Sequence, residues 1–516
     1  MAGTTVTLPG GGGKTVNITT GTDDQVVLQK AIKNLFNAAG DNFTAVTVPS
    51  GTAGSSGFFN LVFNDKATKL SLSAGTNVQA IIDNGTAAGD TLTGGASTTV
   101  LVGNAAGDVI NTNNDNATVF GGAGADTVNV TGSAVAYLEG GKNIVNLNGD
   151  DSVSLVSTAA GTDTVNITAG KNTVQSGHAV TVNVTATKGS ETLTLATGSK
   201  VSISGANDTV TLSSANSAVT ISGSGDSVKI SGSSTVNLTG SKVSDTVALT
   251  SPGTVNVSGA SVSALITGAN NTVNLSGSGE HVTMSGSGSG TLNITAGTGD
   301  VVSSAGSLKV AITATKSSDT LSFSGNSTIS LGTSDTLNLS GAKGAATITA
   351  SGSASILGGA GLLKFTGAAN AKDTITAGQG SATLTAGSGA SDKFVAGSGT
   401  NYLFTHAATG GGKDTFIGGA HSDTMVGAGT DKAHTDLFMF ESSLKGGTHT
   451  ITNFTTGKDT IDLVGYTKAQ IDAAIAAGAK TFNAKTGTET ITLADHTKIT
   501  VSGLHAALGK SDFTGS

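Results

Sequence analysis

The chain has 516 residues, of which 76 are Gly, three are Pro and none is Cys or Trp, and all 26 basic residues are Lys. A formal net charge of −8 with no Arg and no basic block gives nucleic-acid binding little electrostatic basis. No run of 18 apolar residues offers a membrane span, and MAGTTVTLPGGGG lacks the charged and apolar regions of a secretory signal peptide. Few aromatics and low charge also mark disorder, but Val, Ile and Leu at alternating positions argue for a narrow core of β-branched residues.

Residues 1–84 read as an N-terminal capping region. TDDQVVLQKAIKNLFNAA at 22–39 predicts a helix over 23–38, with Asp23 as its cap and Val27, Ala31, Ile32, Leu35 and Phe36 as an apolar stripe. A repeat fold needs such a cover, because an open first coil is an exposed sheet edge. Asp23 and Asp24 therefore read as capping residues and not as catalytic acids.

From residue 85 the chain falls into register. Asp90, Asp108 and Asp126 lie 18 apart, with Thr99 and Ala117 midway, and each position is followed two residues later by Leu92, Ile110, Val128, Leu101 or Val119. Farther on, Glu191, Asp208, Asp226 and Asp245 keep spacings of 17, 18 and 19. Strands of the form apolar-Asn-apolar-Thr/Ser/Asn recur around Asn17, Asn129, Asn146, Asn166, Asn183, Asn237, Asn256, Asn274, Asn293 and Asn338. Two strands and two turns in about 18 residues describe one coil, and the fold class is all-β, a parallel β-solenoid (β-helix or β-roll). Residues 85–404 form the body; a β-sandwich is the alternative, but its strands need no such period.

In 85–128 the acids occupy every second turn, so they stack on one edge. Carboxylates with glycine carbonyls between them are the hard oxygen donors that calcium takes, and without a cation the stacked charges repel. The candidate metal residues are Asp90, Asp108, Gly122, Gly124 and Asp126. In 405–435, TGGGKDTFI, GGAHSDTMV and VGAGTD add Gly410, Gly412, Asp414, Gly419, Asp423, Gly429 and Asp431, with acids on both edges. His421 replaces a motif glycine there, and Asp431 lacks the following aliphatic. For Asp208, Asp226, Asp245, Asp319 and Asp335 the reading is a turn residue bonded to its own backbone, with calcium as the competitor.

These motifs resemble the RTX family of calcium-binding β-roll repeats, whose GGxGxD-x-aliphatic pattern residues 121–128 match in full. The N-terminal helix resembles the one closing right-handed β-helix proteins of the pectin-lyase type. Residues 436–516, with DLFMF, THTITNFTTGKDTIDLVGY, a short helix at KAQIDAAIAAGA and a terminal SDFTGS, resemble the C-terminal cap and export region of type I secretion substrates. The resemblance implies Ca2+ as cofactor, the type I machinery as partner and an extracellular or cell-surface location.

No nucleophile elbow, phosphate loop or zinc spacing appears, and Asp150 and Asp151 would point to opposite faces of a strand. His406, His421, His434, His449, His496 and His505 read as surface or turn residues, a transition-metal site being the alternative. The expected function is a non-enzymatic, calcium-stabilised structural protein. It would assemble with its own copies into a filament, surface layer or biofilm matrix, its Asn, Thr and Ser side chains bridging laterally. The alternatives are an adhesin recognising cell-surface polysaccharide or ice, and, with less support since Arg is absent, a polysaccharide lyase or epimerase.

Overall fold

A computed structural model describes residues 4–9, 15–20, 27–31, 34–35, 44–47, 51–53, 60–64, 69, 71–74 and 78–83. From 85 onward it describes all but 86–87, 114–115, 139–140, 157–161, 241–243, 390, 405–411, 430–434, 445 and 516. The protein is an all-β parallel solenoid of about 19 turns, each of about 19 residues, with 6% helix. It divides into two compact units, residues 1–254 and 255–516.

In the first unit the chain alternates between two sheets. Thr91–Thr93, Val109–Asn111, Thr127–Val130, Ile144–Asn148 and Asp163–Ala169 stack in parallel as the first sheet. Val100–Val102, Ala117–Gly122, Ser133–Leu138 and Ser152–Val156 stack as the second. Parallel pairing already joins Thr44–Thr47 to Asn60–Asn64 and Gly51–Ala53 to Ser71–Ala74. The VNIT at 16–19 is different, since Thr4–Pro9 and Thr15–Thr20 form an antiparallel pair.

Period-two alternation turns every second side chain inward. One resulting column runs through Leu92, Ile110, Val128, Val145, Val165, Val182, Val201 and Val219, matched turn to turn by the strand register. All eight are buried, each stabilising the fold by roughly 1.5–3 kcal/mol. A single turn would leave these faces wet; stacking dries them.

The outward Asn side chains do not stand free for lateral bridging. Asn129 Nδ2 donates to Asn111 Oδ1 at 2.7 Å, Asn146 to Asn129 at 2.8 Å, Asn166 to Asn146 at 2.9 Å and Asn183 to Asn166 at 2.9 Å. A primary amide carries two N–H donors, so this ladder commits one of them along the stack.

Residues 27–31 and 34–35 are helical. Leu28 is buried with Ala80, Ile82, Val100, Val102 and Phe120, and Val27, Ala31, Leu35 and Tyr137 pack on that cluster. Register pairs Ile81 with Leu101 and Leu101 with Val119 as the inward row, so Ile82, Val102 and Phe120 face outward. The helix thus lies against the outer face of the second sheet, where Phe120 stacks on Tyr137 at 5.0 Å. Asp23, Asp24, Ile32 and Phe36 lie outside the described residues.

In the second unit, the turns lengthen toward the C-terminus and aromatics replace aliphatics inside. Phe394, Phe416 and Phe438 occupy successive strands of one sheet, their ring centroids 6.0 and 5.3 Å apart. The helix expected near 468 is Lys468–Gly478, with a capping box between Thr467 and Gln470. It packs against Thr488–Thr492, which pairs antiparallel with Lys498–Ser502 and ends the sheet. There the Thr481 hydroxyl accepts from Thr490 N at 2.8 Å and donates to Thr490 O at 2.9 Å, blocking two of the edge groups that another strand would use.

Phe416→Ala removes the middle ring of the aromatic column and is expected to cost about 3–5 kcal/mol. A lowered urea midpoint, followed by far-UV circular dichroism, checks it.

Candidate functional site

Each acid of the repeat stands where a turn enters a strand, and loop backbones of successive turns touch there. A Cβ on Gly124 would collide with the Gly107 backbone, and one on Gly122 with the Asn104 carbonyl. Gly122 also has φ 86°, a conformation that favours glycine. The motif glycines therefore serve stacking first.

The acids form a ladder. Asp90 N donates to Asp108 Oδ1 at 3.1 Å, Asp108 N to Asp126 Oδ1 at 2.8 Å, Asp126 N to Asn143 Oδ1 at 2.8 Å and Asn143 N to Asp163 Oδ1 at 3.1 Å. All five side chains on this edge are buried. At its far end Asp163 Oδ2 meets His178 Nε2 at 2.7 Å. At the corresponding positions of the opposite edge stand Thr99 and Ala117.

At the near end, Asp83, Asp90 and Asp108 are buried together, one carboxylate oxygen of each lying within 4.8 Å of the others. Asn104 tethers all three: its Nδ2 donates to Asp83 Oδ2 at 3.0 Å and Asp90 Oδ2 at 3.3 Å, and its N–H donates to Asp108 Oδ2 at 2.6 Å. Burial pushes the Asp83 and Asp126 carboxyls up to about 7 and that of Asp108 to about 6, and neighbouring acids add to each rise. Such a cluster could hold a metal ion. Its all-oxygen donor set is of the hard type, and the buried Asp126 Oδ2 one turn on has no hydrogen-bond partner.

Asp414 and Asp423 are not brought together; they enter strands Thr415–Ile417 and Asp423–Val426 on the two opposite edges. Asp414 belongs to a second ladder, in which Asp373 N donates to Asp392 Oδ1 at 2.8 Å, Asp392 N to Asp414 Oδ1 at 2.8 Å and Asp436 N to Asp459 Oδ1 at 2.9 Å. Asp423 accepts from Gly419 N at 2.8 Å and Asn401 Nδ2 at 2.7 Å, and the buried His449 Nδ1 lies 3.2 Å from it. Gly412 and Gly429 lend carbonyls to Thr435 N and Thr455 Oγ1. Gly410, Asp431, His406 and His434 lie outside the described residues, while His421, His496 and His505 are exposed.

Asp208, Asp226, Asp245, Asp319 and Asp335 are buried, and the reading of them as turn residues bonded to their own loop needs correction. Each accepts instead from the adjoining turn, as Asp208 N donates to Asp226 Oδ1 at 2.9 Å and Ser317 N to Asp335 Oδ1 at 3.2 Å. Missed altogether were Asp83, Asn104, Asp163, Glu280, Asp300, Asp373, Asp392 and Asp459, while Asp436 was considered only as a neighbour of the histidines. Several carried a signal: Asp373, Asp392, Asp436 and Asp459 each precede an inward Ile or Phe by two residues, at spacings of 19 to 23.

No protein-family model matches the chain, and no characterised protein or solved structure matches it.

Gly121→Ala would drive a Cβ into Asp126 Oδ2 and Leu138. Asp126→Ala would strip the acceptor from Asp108 N, a buried donor, at a cost of about 1–3 kcal/mol. Both variants are expected to melt below the parent, and faster amide hydrogen exchange at Asp108 checks the second.

Proposed function

We propose that this protein is a secreted, calcium-stabilised structural solenoid that assembles with its own copies into an extracellular filament, surface layer or biofilm matrix. The observation that carries the reading is the buried cluster of Asp83, Asp90 and Asp108. These residues, with Asp126 beside them, would hold Ca2+, which supplies the positive charge that three apposed carboxylates need. Asp414 and Asp423 would hold further ions only singly, because they stand on opposite edges. Export by a type I route, inferred from residues 436–516, would let the chain fold where calcium is millimolar, matching weak extracellular sites of roughly 10⁻⁴–10⁻³ M.

Assembly is side by side in this reading. The C-terminal edge is partly blocked by Thr481 and covered by Lys468–Gly478, which disfavours continuing the sheets there. The outer faces keep the second N–H of each ladder Asn, with Thr and Ser hydroxyls, for a neighbouring copy. A second reading, a polysaccharide adhesin, is favoured by Tyr402, 45% exposed and flanked in register by Thr383 and Thr424. An aromatic ring among hydroxyls suits a sugar face.

Electron microscopy of calcium-stripped protein, then of the same sample in millimolar calcium, tests the first reading. Ordered sheets or filaments appearing only with calcium are expected; single folded particles in both conditions would overturn it. Binding to a glycan array that Tyr402→Ala abolishes would support the adhesin.

A further inference from the structure

In the middle of the first unit, Glu191, Asp208, Asp226 and Asp245 succeed one another on the edge leading into the second sheet, each no more than 3% exposed. One oxygen of each aspartate is served: Gly189 N donates to Asp208 Oδ1 at 2.7 Å, Asp208 N to Asp226 Oδ1 at 2.9 Å and Asp226 N to Asp245 Oδ1 at 3.0 Å. Among the described residues, Asp208 Oδ2 and Asp226 Oδ2 are buried without a hydrogen-bond partner. By contrast, Asp392 Oδ2 and Asp459 Oδ2 accept from Gly387 N and Thr455 N, and so are served as ionised carboxylates.

Other turns show what such a second atom meets. Asn172, on the same edge one turn before Glu191, accepts from Asp151 N through Oδ1, and its Nδ2 donates to Ala169 O at 2.8 Å, three residues back. Asn271 Nδ2 donates to Gly268 O at 3.1 Å and Ser199 Oγ to Ala196 O at 2.8 Å, again three residues back. Loop 205–208, GAND, differs from loop 268–271, GANN, only in its last residue, and Asn207 and Asn270 share a φ of 60°. Asp208 Oδ2 and Asp226 Oδ2 turn back the same way: a Cβ on Gly205 or Gly223 would strike them. Where Asn and Ser place a donor hydrogen, these aspartates place an oxygen.

We infer that Asp208 and Asp226 are held as neutral carboxylic acids whose inward oxygen carries a proton and donates it to the loop backbone, so that this stretch takes up protons as it folds. One hydrogen fills the role that the Asn amide and Ser hydroxyl fill elsewhere. Burial raises the carboxyls of Asp208 and Asp226, that of Asp245 to about 6 and that of Glu191 to about 7. The charged groups that act on them are the neighbouring acids of the same column, which favour the neutral form further. Because the folded values stand above the unfolded value of about 4, the stabilisation is complete below pH ~4 and is lost as pH rises through the folded values.

The test is thermal melting of the full chain between pH 5 and 8 with divalent cations chelated, alongside Asp208→Asn and Asp226→Asn. The parent is expected to melt lower as pH rises, and each variant to lose less and exceed the parent at pH 8 by ~1–3 °C. Infrared difference spectra of the parent should show a protonated-carboxyl band at pH 6, diminished in the variants. Variants that melt below the parent at every pH, or a parent with no such band at pH 6, overturn the inference. So does a parent that gains more from calcium at pH 8 than the Asp208→Asn and Asp226→Asn variants do, which would put a cation where the proton is placed. Should neither variant fold, Asp208→Ser and Asp226→Ser, which place a hydroxyl donor as Ser199 does, take their place in the same comparison.

Discussion

A carboxyl group buried in most turns is the constraint on which the rest of the structure depends. Each such group is useful as an acceptor, because its oxygen takes the N–H of the turn beside it and locks the two loops together. Each is also a liability, because a buried charge is costly and its neighbours carry the same sign. The fold tolerates the column only where that charge is answered. The chain shows three local answers: His178 against Asp163, backbone N–H groups on both oxygens of Asp392 and Asp459, and amides in place of acids at Asn143 and Asn172. For the Asp83, Asp90 and Asp108 cluster a cation, and for Asp208 and Asp226 protons, would provide a further answer.

The surrounding composition follows from the same geometry. Loops that touch turn after turn exclude side chains, so glycine recurs beside the acids, and Asn supplies left-handed turn residues at Asn207, Asn216 and Asn270. Inside, the narrow space between two sheets takes Val, Ile and Leu, commonly two per strand, as with Val145 and Leu147 or Val201 and Ile203. Toward the C-terminus the turns gain three or four residues and the enclosed space admits Phe394, Phe416 and Phe438 instead.

The solenoid was legible because its signal is periodic: an aliphatic two residues after Asp90, Asp108 and Asp126 survives substitution of the acid itself. The acid edge in 85–128 was legible for the same reason. Asp83 was not, since it ends a strand instead of entering one and reaches its partners only across a loop. Asp392 and Asp459 escaped because a fixed period of 18 misses turns of 22 and 23 residues. The helical residues 27–31 and 34–35 fall within the predicted stripe, but a stripe does not say which surface it covers, and here Leu28 packs on outward residues of the second sheet. Ladder bonding of the Asn amides was equally invisible, because alternation places a side chain on a face without saying what it bonds.

The most direct measurement is the number of protons and calcium ions taken up when the urea-unfolded chain refolds at pH 6.5, by potentiometry and a calcium electrode. The account predicts a net uptake of several protons when calcium is chelated, and bound calcium with fewer protons when it is present. Refolding that takes up neither would mean that the buried carboxyls stay ionised and unaccompanied, and would contradict it.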